Sequence, residues 1–303
     1  MERLLSCDTS QLSKMNKKQR LEAIEASEGR IVIQELSFFE GMQLLKPVTD
    51  AEVACAFGAD ILLLNAFDVY HPNVPGIVAK PVEMIRELKK HTGRLIGINL
   101  EPVSAEAIIG SREELTEGRI ASANTAKKAK ELGFDFILLT GNPGTGVTNK
   151  KIMETLKEVN DAVGNELILM AGKMHAAGSK TEAGNNIITK DDITQFVNAG
   201  ADVVLLPAPG TVPGIRIEYI SDMITYIHTL GKLSLTAIGT SQEGASTNTI
   251  ETIALNCKMT GTDLHHIGDA GVSGLDPENL MAYNIAIKGK RHTYLRMARS
   301  INR

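Results

Sequence analysis

Four side chains able to do chemistry stand where apolar runs of strand length give out: Glu35, Glu101, Lys173 and His175. A glutamate in such a place can act as a general base or ligate a metal ion. Lys173 can stabilise negative charge, carry a proton or, if desolvated, form a Schiff base. His175 can serve as acid or base. Asn65 and Asn99 also end strand-like runs and suit orienting hydrogen bonds. For each, the competing assignment is a solvated rim residue or a structural ion pair; His266 competes with a satisfied core histidine.

The elements that must position these residues follow from a motif repeated four times. It reads Gly58-Ala59-Asp60, Gly133-Phe134-Asp135, Gly200-Ala201-Asp202 and Gly261-Thr262-Asp263, each followed by a short apolar run. Glycine ends a helix cheaply in the left-handed conformation. The run after the Asp is too short for a helix and suits a buried strand. Four further strands are predicted between the copies: 31–35, 95–100, 167–171 and 233–238. Segments after strands are long and rich in Gly, Pro, Asn and Thr, whereas segments after helices are short. Eight strands alternating with helices, with elaborate loops at one end only, predict an α/β protein, a single (β/α)8 TIM barrel. A barrel of this kind takes roughly 250 residues. The 303-residue chain therefore divides into an N-terminal helical extension, 1–29, and a barrel, 30–303. Asn16 and Gln19 form a capping-box pair for a helix that packs under the barrel or against a second subunit.

Side chains alternate along a strand. Aligning the odd strands on Arg30, Arg94, Glu166 and Lys232 points Glu35, Asn99, Glu101 and Lys173 inward at the C-terminal ends. The even strands bring Asn65, Thr140 and Pro207 to the rim, with His266 one layer below; Asn142 follows Thr140. The loops closing the barrel read Gly239-Thr240-Ser241 and Gly268-Asp269-Ala270-Gly271-Val272-Ser273-Gly274. Backbone N–H groups bared by glycine can cradle an anion there, which makes Thr240, Ser241, Gly268, Asp269, Gly271 and Ser273 the phosphate-binding candidates. Asn65, Thr140 and Asn142 are the substrate-binding candidates.

Composition excludes several classes. Lys and Arg number 32 against 36 Asp and Glu, a net charge of −4, which suggests no nucleic-acid partner. No apolar run reaches the length of a membrane span, about 18 residues. Three cysteines without metal-like spacing, Cys7, Cys55 and Cys257, read as free thiols of a cytoplasmic protein.

The Gly-x-Asp repeat and the two closing loops resemble the phosphate-binding (β/α)8 superfamily of isomerases, aldolases, lyases and synthases. The whole chain also resembles an uncharacterised bacterial barrel family whose members are sometimes labelled phosphoenolpyruvate phosphonomutase-like. It departs from phosphonomutases in having a single Glu101 after the third strand and no Lys-Cys catalytic loop. It departs from class I aldolases in having Pro207 where their Schiff-base lysine stands. The resemblance implies a lyase or isomerase acting on a small phosphorylated or carboxylated metabolite at the C-terminal mouth. In that scheme Glu35 moves a proton, Lys173 and Asn99 stabilise an oxyanion, and the loops 101–119 and 172–186 close over the substrate. The alternative is a non-catalytic metabolite sensor or scaffold on the same fold. No motif requires a cofactor; Mg2+ between Glu35, Glu101 and Asp269 is the one candidate. A homo-oligomer is expected, as for barrels generally.

Overall fold

Each Gly-x-Asp repeat does the same structural job. The four glycines turn the chain out of a helix with φ of 101°, 100°, 113° and 84°. The Asp that follows accepts a backbone N–H from the preceding strand: Asp60 from Val32 (2.9 Å), Asp135 from Ile96 (2.8 Å), Asp202 from Leu169 (2.8 Å) and Asp263 from Ser234 (2.8 Å). Four carboxylates thus staple each odd strand to the next even one at the strands' N-terminal ends. Every staple also has a cationic or imidazole partner: Lys288 and Arg296 on Asp60, Arg20 and Lys89 on Asp135, Lys17 on Asp202, and His228 on Asp263.

The computed structural model describes residues 2–38, 43–103, 115–142, 144–268 and 274–303. Among them, short helices α1 (Thr9–Leu12) and α2 (Lys17–Glu25) precede strand β1 (Ile31–Ser37). There follow α3 (Asp50–Ala56), β2 (Ile61–Asn65), α4 (Met84–Thr92), β3 (Leu95–Leu100), α5 (Ala123–Leu132) and β4 (Phe136–Leu139). The second half runs α6 (Asn149–Val163), β5 (Ile168–Gly172), α7 (Lys190–Ala199), β6 (Val203–Pro207), α8 (Ile217–Thr229) and β7 (Leu233–Ala237). It ends with α9 (Thr247–Met259), β8 (Leu264–Ile267) and α10 (Pro277–Ala298), which kinks at Gly289. The strands are all parallel and close in sequence order, β8 pairing with β1. The chain is an α/β eight-stranded TIM barrel. Among the described residues no helix is long and apolar enough to cross a membrane.

Two apolar layers follow from strand alternation. Inward residues such as Ile33, Leu63, Phe136, Met170, Leu205 and Leu235 fill the barrel. Outward residues such as Val32, Leu62, Ile98, Ile137, Leu169 and Val204 pack against the helices. The N-terminal segment joins the inner layer: Leu4, Leu5, Cys7, Leu12, Ala23 and Ile24 plug the barrel beneath Ile31. Asn16 accepts from the Gln19 N–H and Gln19 returns the bond, the capping box that opens α2.

The inner layer corrects one sequence expectation. Strands β1, β3 and β7 face as predicted, but in β5 it is Ile168 and Met170 that point inward, while Leu169 and Ala171 face the helices. Glu166 is not the counterpart of Arg30 and Arg94. It lies on the surface paired to Lys130, and Leu167 is still bonded back to Val163 at the end of α6. The connection is one residue longer there, and a shift of one residue reverses every side chain of a strand. Lys173 therefore falls on the outward phase.

The barrel centre has little slack. A Cβ at Gly97 would lie 2.1 Å from the Phe136 ring. Overpacking of this kind costs about 1–3 kcal/mol. Gly97→Ala is expected to lower the urea midpoint accordingly, and Phe136→Leu in the same chain to recover part of the loss.

Candidate functional site

The inward phase of β1, β2, β3 and β8 carries polar side chains only at the C-terminal end. There they form one continuous network. His266 Nε2 lies 2.8 Å from Glu35 Oε2, and Asn65 Nδ2 donates to Glu35 Oε1 at 2.9 Å. Asn65 Nδ2 also donates to Asn142 Oδ1 (2.9 Å), and Asn99 Nδ2 donates to Asn65 Oδ1 (3.0 Å). Asn142 Nδ2 reaches Glu101 Oε1 at 2.8 Å, and its backbone N–H reaches Oε2 at 3.2 Å. Arg119 completes the line with a 3.2 Å bond to Glu101 Oε1. Glu35, Asn65, Asn99, Glu101, Arg119 and His266 are all buried.

Burial alone would push the Glu35 carboxyl up. The bond and charge of His266 outweigh it, joined by the Asn65 bond, and hold the carboxyl below its ordinary value. Glu35 is therefore a carboxylate at neutral pH, and His266 must place its Nε2 proton on it. Among the described residues, the other ring nitrogen, His266 Nδ1, has no hydrogen-bond partner; neither has Asn99 Oδ1 or Thr140 Oγ1. Gly268 follows His266 by two residues, and a Cβ there would lie 2.5 Å from Glu35 Cβ. Glycine at this position is required so that the end of β8 can lie against Glu35.

His175 stands beside this network. Its Nδ1 accepts the Ala177 N–H at 3.0 Å, which leaves the neutral ring's proton on Nε2. Burial pushes its pKa down to about 4, opposed by the charge of Glu35 and aided by that of Lys173. His265, outward-facing on β8, is also pushed down to about 4 by burial; it bonds the Gly29 carbonyl (3.0 Å) and the Tyr283 hydroxyl (3.2 Å). Both histidines are neutral when folded and take up a proton more readily when unfolded. Their stabilisation is complete above pH 6.5, the ordinary value, and is lost as pH falls toward 4. A urea midpoint that falls between pH 7 and pH 5, and falls less in His265→Gln, is the expected result.

Lys173 does not join the network. Its ammonium is buried and paired with Glu182, which also accepts the Asn149 N–H at the start of α6 (3.0 Å). Burial lowers its pKa, opposed by Glu182 and more weakly by Asp192 of α7. The lysine ties the loop after β5 to the start of α6, so the expected pairing of Lys173 with Asn99 as oxyanion stabilisers is corrected. Its outward phase and a carboxylate partner supplied from nine residues later are the physical reasons. No local pattern signals Glu182. Arg119 was readable in principle, since a guanidinium and the Glu101 carboxylate bracket one long loop. Its stem is stitched by Glu101 N–H to Arg119 O and Ala121 N–H to Glu101 O, both 2.9 Å.

The closing loops are described in part. Asp269, Gly271 and Ser273 lie outside the described residues, as does the centre of the loop after Glu101. The single Thr240 hydroxyl proton is shared between the Thr211 carbonyl (2.6 Å) and Gln242. That leaves Thr240 an acceptor and not a donor toward phosphate. Ser241 adopts the left-handed region, φ 62°. Gly239 is packed by Met174, whose Cγ lies 2.3 Å from where a Cβ would stand. Among the described residues, no three His, Cys, Asp or Glu side chains gather as a metal-binding set. Glu35 and Glu101 are joined through Asn65 and Asn142.

No curated protein matches the sequence. Among solved structures, thiamine phosphate pyrophosphorylase from Pyrococcus furiosus is similar with a TM-score of 0.47 and 11% identity, over 86% of this chain and 96% of that one. A family model matches residues 5–303, nearly the whole barrel with its N-terminal plug, and the chain belongs to the family described as domain of unknown function DUF7916.

Proposed function

We propose that this barrel is an enzyme, a lyase or isomerase that moves a proton next to a carbonyl of a small phosphorylated or carboxylated metabolite. The observation that carries the reading is the buried Glu35–His266 pair at the C-terminal mouth, where barrel enzymes hold their chemistry. Glu35 is the proton acceptor, held as a carboxylate. His266 orients it through its Nε2–H. His175 supplies a neutral Nε2–H, the form suited to hydrogen-bonding a carbonyl oxygen as charge develops there. Asn65 and Asn142 fix the carboxylates, and Thr140 contacts the substrate. The anionic group lies toward the closing loops around Ser241 and Gly268, held by backbone N–H groups. The phosphonomutase-like label adds nothing to this reading, because the single Glu101 is engaged by Arg119 and Asn142.

The test is deuterium uptake. Small phosphorylated and carboxylated carbonyl compounds are incubated with the protein in D2O and followed by proton NMR. Exchange of a C–H beside the carbonyl in at least one compound is expected. Ligands that bind but are recovered without exchange or conversion would move the assignment to a metabolite sensor.

A further inference from the structure

The hydrogen-bond direction of the network says what kind of group the floor of the mouth takes. Carboxylates only accept. Glu35 and Glu101 therefore each compel an amide to turn its NH2 toward them: Asn65 toward Glu35, Asn142 toward Glu101. Both hydrogens of Asn65 Nδ2 are then spent, on Glu35 and on Asn142 Oδ1. Both hydrogens of Asn142 Nδ2 are spent on Glu101 and, at 3.2 Å, on Asn65 Oδ1. Asn99 must give its NH2 to Asn65 Oδ1, which leaves Asn99 Oδ1 a buried acceptor with no partner among the described residues. Among the described residues Thr140 Oγ1, a hydroxyl that both donates and accepts, and His266 Nδ1 are unpartnered as well, and all three residues are at least nine-tenths buried. Among the described residues, two carboxylates and the Arg119 guanidinium stand here. Lys173, the cation expected here, is turned away to Glu182.

Such a floor sets Asn99 Oδ1, a buried acceptor, beside two carboxylates. That acceptor is satisfied only by a ligand that brings hydrogen. We propose that the end of the substrate entering the floor carries hydrogen-bond donors, hydroxyl or amino groups, and that the anionic group stays outside, at the loops. This rests on the mouth being the substrate site, as proposed above, and names the chemical class that the site takes: hydroxylated or aminated small anions. An unpartnered buried acceptor is costly, so a donor that reaches it gains more than one that exchanges water for an exposed partner. Sites of this design reject analogues lacking the donor.

Matched probes test the proposal by calorimetry: propyl, 3-hydroxypropyl and 3-aminopropyl phosphate; butyrate, 4-hydroxybutyrate and 4-aminobutyrate; and, as neutral arms, three- to six-carbon polyols. The hydroxyl or amino member of at least one set is expected to bind ten-fold or more tightly than its alkyl parent. The two substituted members tell a hydroxyl from an ammonium preference. Asn99→Leu is expected to abolish the preference. Thr140→Val, close to isosteric, provides a second reading if the leucine variant fails to fold. Equal binding of alkyl and substituted members overturns the donor floor and leaves the anion reading standing. So does a preference that survives both substitutions. Binding of polyols but of no phosphate or carboxylate upholds the floor and overturns the anion reading. Binding of none overturns both.

Discussion

Asp60→Asn is expected to destabilise the protein by about 3–5 kcal/mol, the usual cost of breaking a buried ion pair from one side. The carboxylate is wholly buried and serves Lys288, Arg296 Nε (2.9 Å) and the Val32 N–H (2.9 Å). Arg94 lies against the same cluster, bonded to the carbonyls of Ala59 (2.9 Å) and Arg296 (3.0 Å). Three cations thus surround one carboxylate. Burial pushes Lys288 down to about 8 despite Asp60, and Arg296 down to about 10. Removing the one negative charge leaves the cations facing one another out of water. Asp263→Asn, at the equivalent place in the fourth repeat, is expected to cost only about 1 kcal/mol, because its partner His228 is exposed. Guanidinium melts of both variants check the contrast. Lys288→Met added to Asp60→Asn is expected to restore part of the loss. Equal midpoints for the two asparagine variants would show that the cluster around Asp60 is not what distinguishes the first staple.

Glu35→Gln is expected to lower turnover by about 10²–10⁴-fold, the range for a lost general base, with ligand binding much less affected. The change also has a spectroscopic signature. Asn65 Nδ2 can bond only the oxygen of the new amide, so its NH2 faces His266 Nε2. His266 must then move its proton to Nδ1, the nitrogen without a partner in the native network. Nitrogen-15 NMR of the imidazole should report that tautomer change. With Glu35 as the base, the acid limb of the native protein's rate profile belongs below pH 4.5, the ordinary carboxyl value, since Glu35 is held beneath it. A full rate in Glu35→Gln would remove Glu35 from the mechanism and leave the fold untouched.

Much of the architecture is legible in the sequence because its signals are local. A glycine, an Asp two residues later and a short apolar run encode a helix end, a staple and a strand within seven residues, four times over. Asn16 with Gln19 and Thr189 with Asp192 mark helix starts in the same way. Site residues on β1, β2, β3, β4 and β8 face as alternation requires once strand bounds are known. The phase of β5 was not legible, since it depends on whether Leu167 belongs to the turn or the strand. The partners of Lys173 and Asp60 were not legible either. Glu182 comes from a loop, and Lys288 and Arg296 from the far end of the chain. The direction of the asparagine chain required both carboxylates and all three amides in one place.

The four staples sit at the end of the barrel opposite the mouth. Every charge they bury is spent far from the loops that would touch a substrate, and substitutions at well-separated sites add nearly independently. The molecule is in that respect two territories. One end tolerates little change where its charge is most deeply buried, at Asp60, and a library of variants should find few survivors there. At the other end, loop sequences can be exchanged wholesale with the frame still closed, so new specificity could be selected there without first acquiring compensating substitutions below.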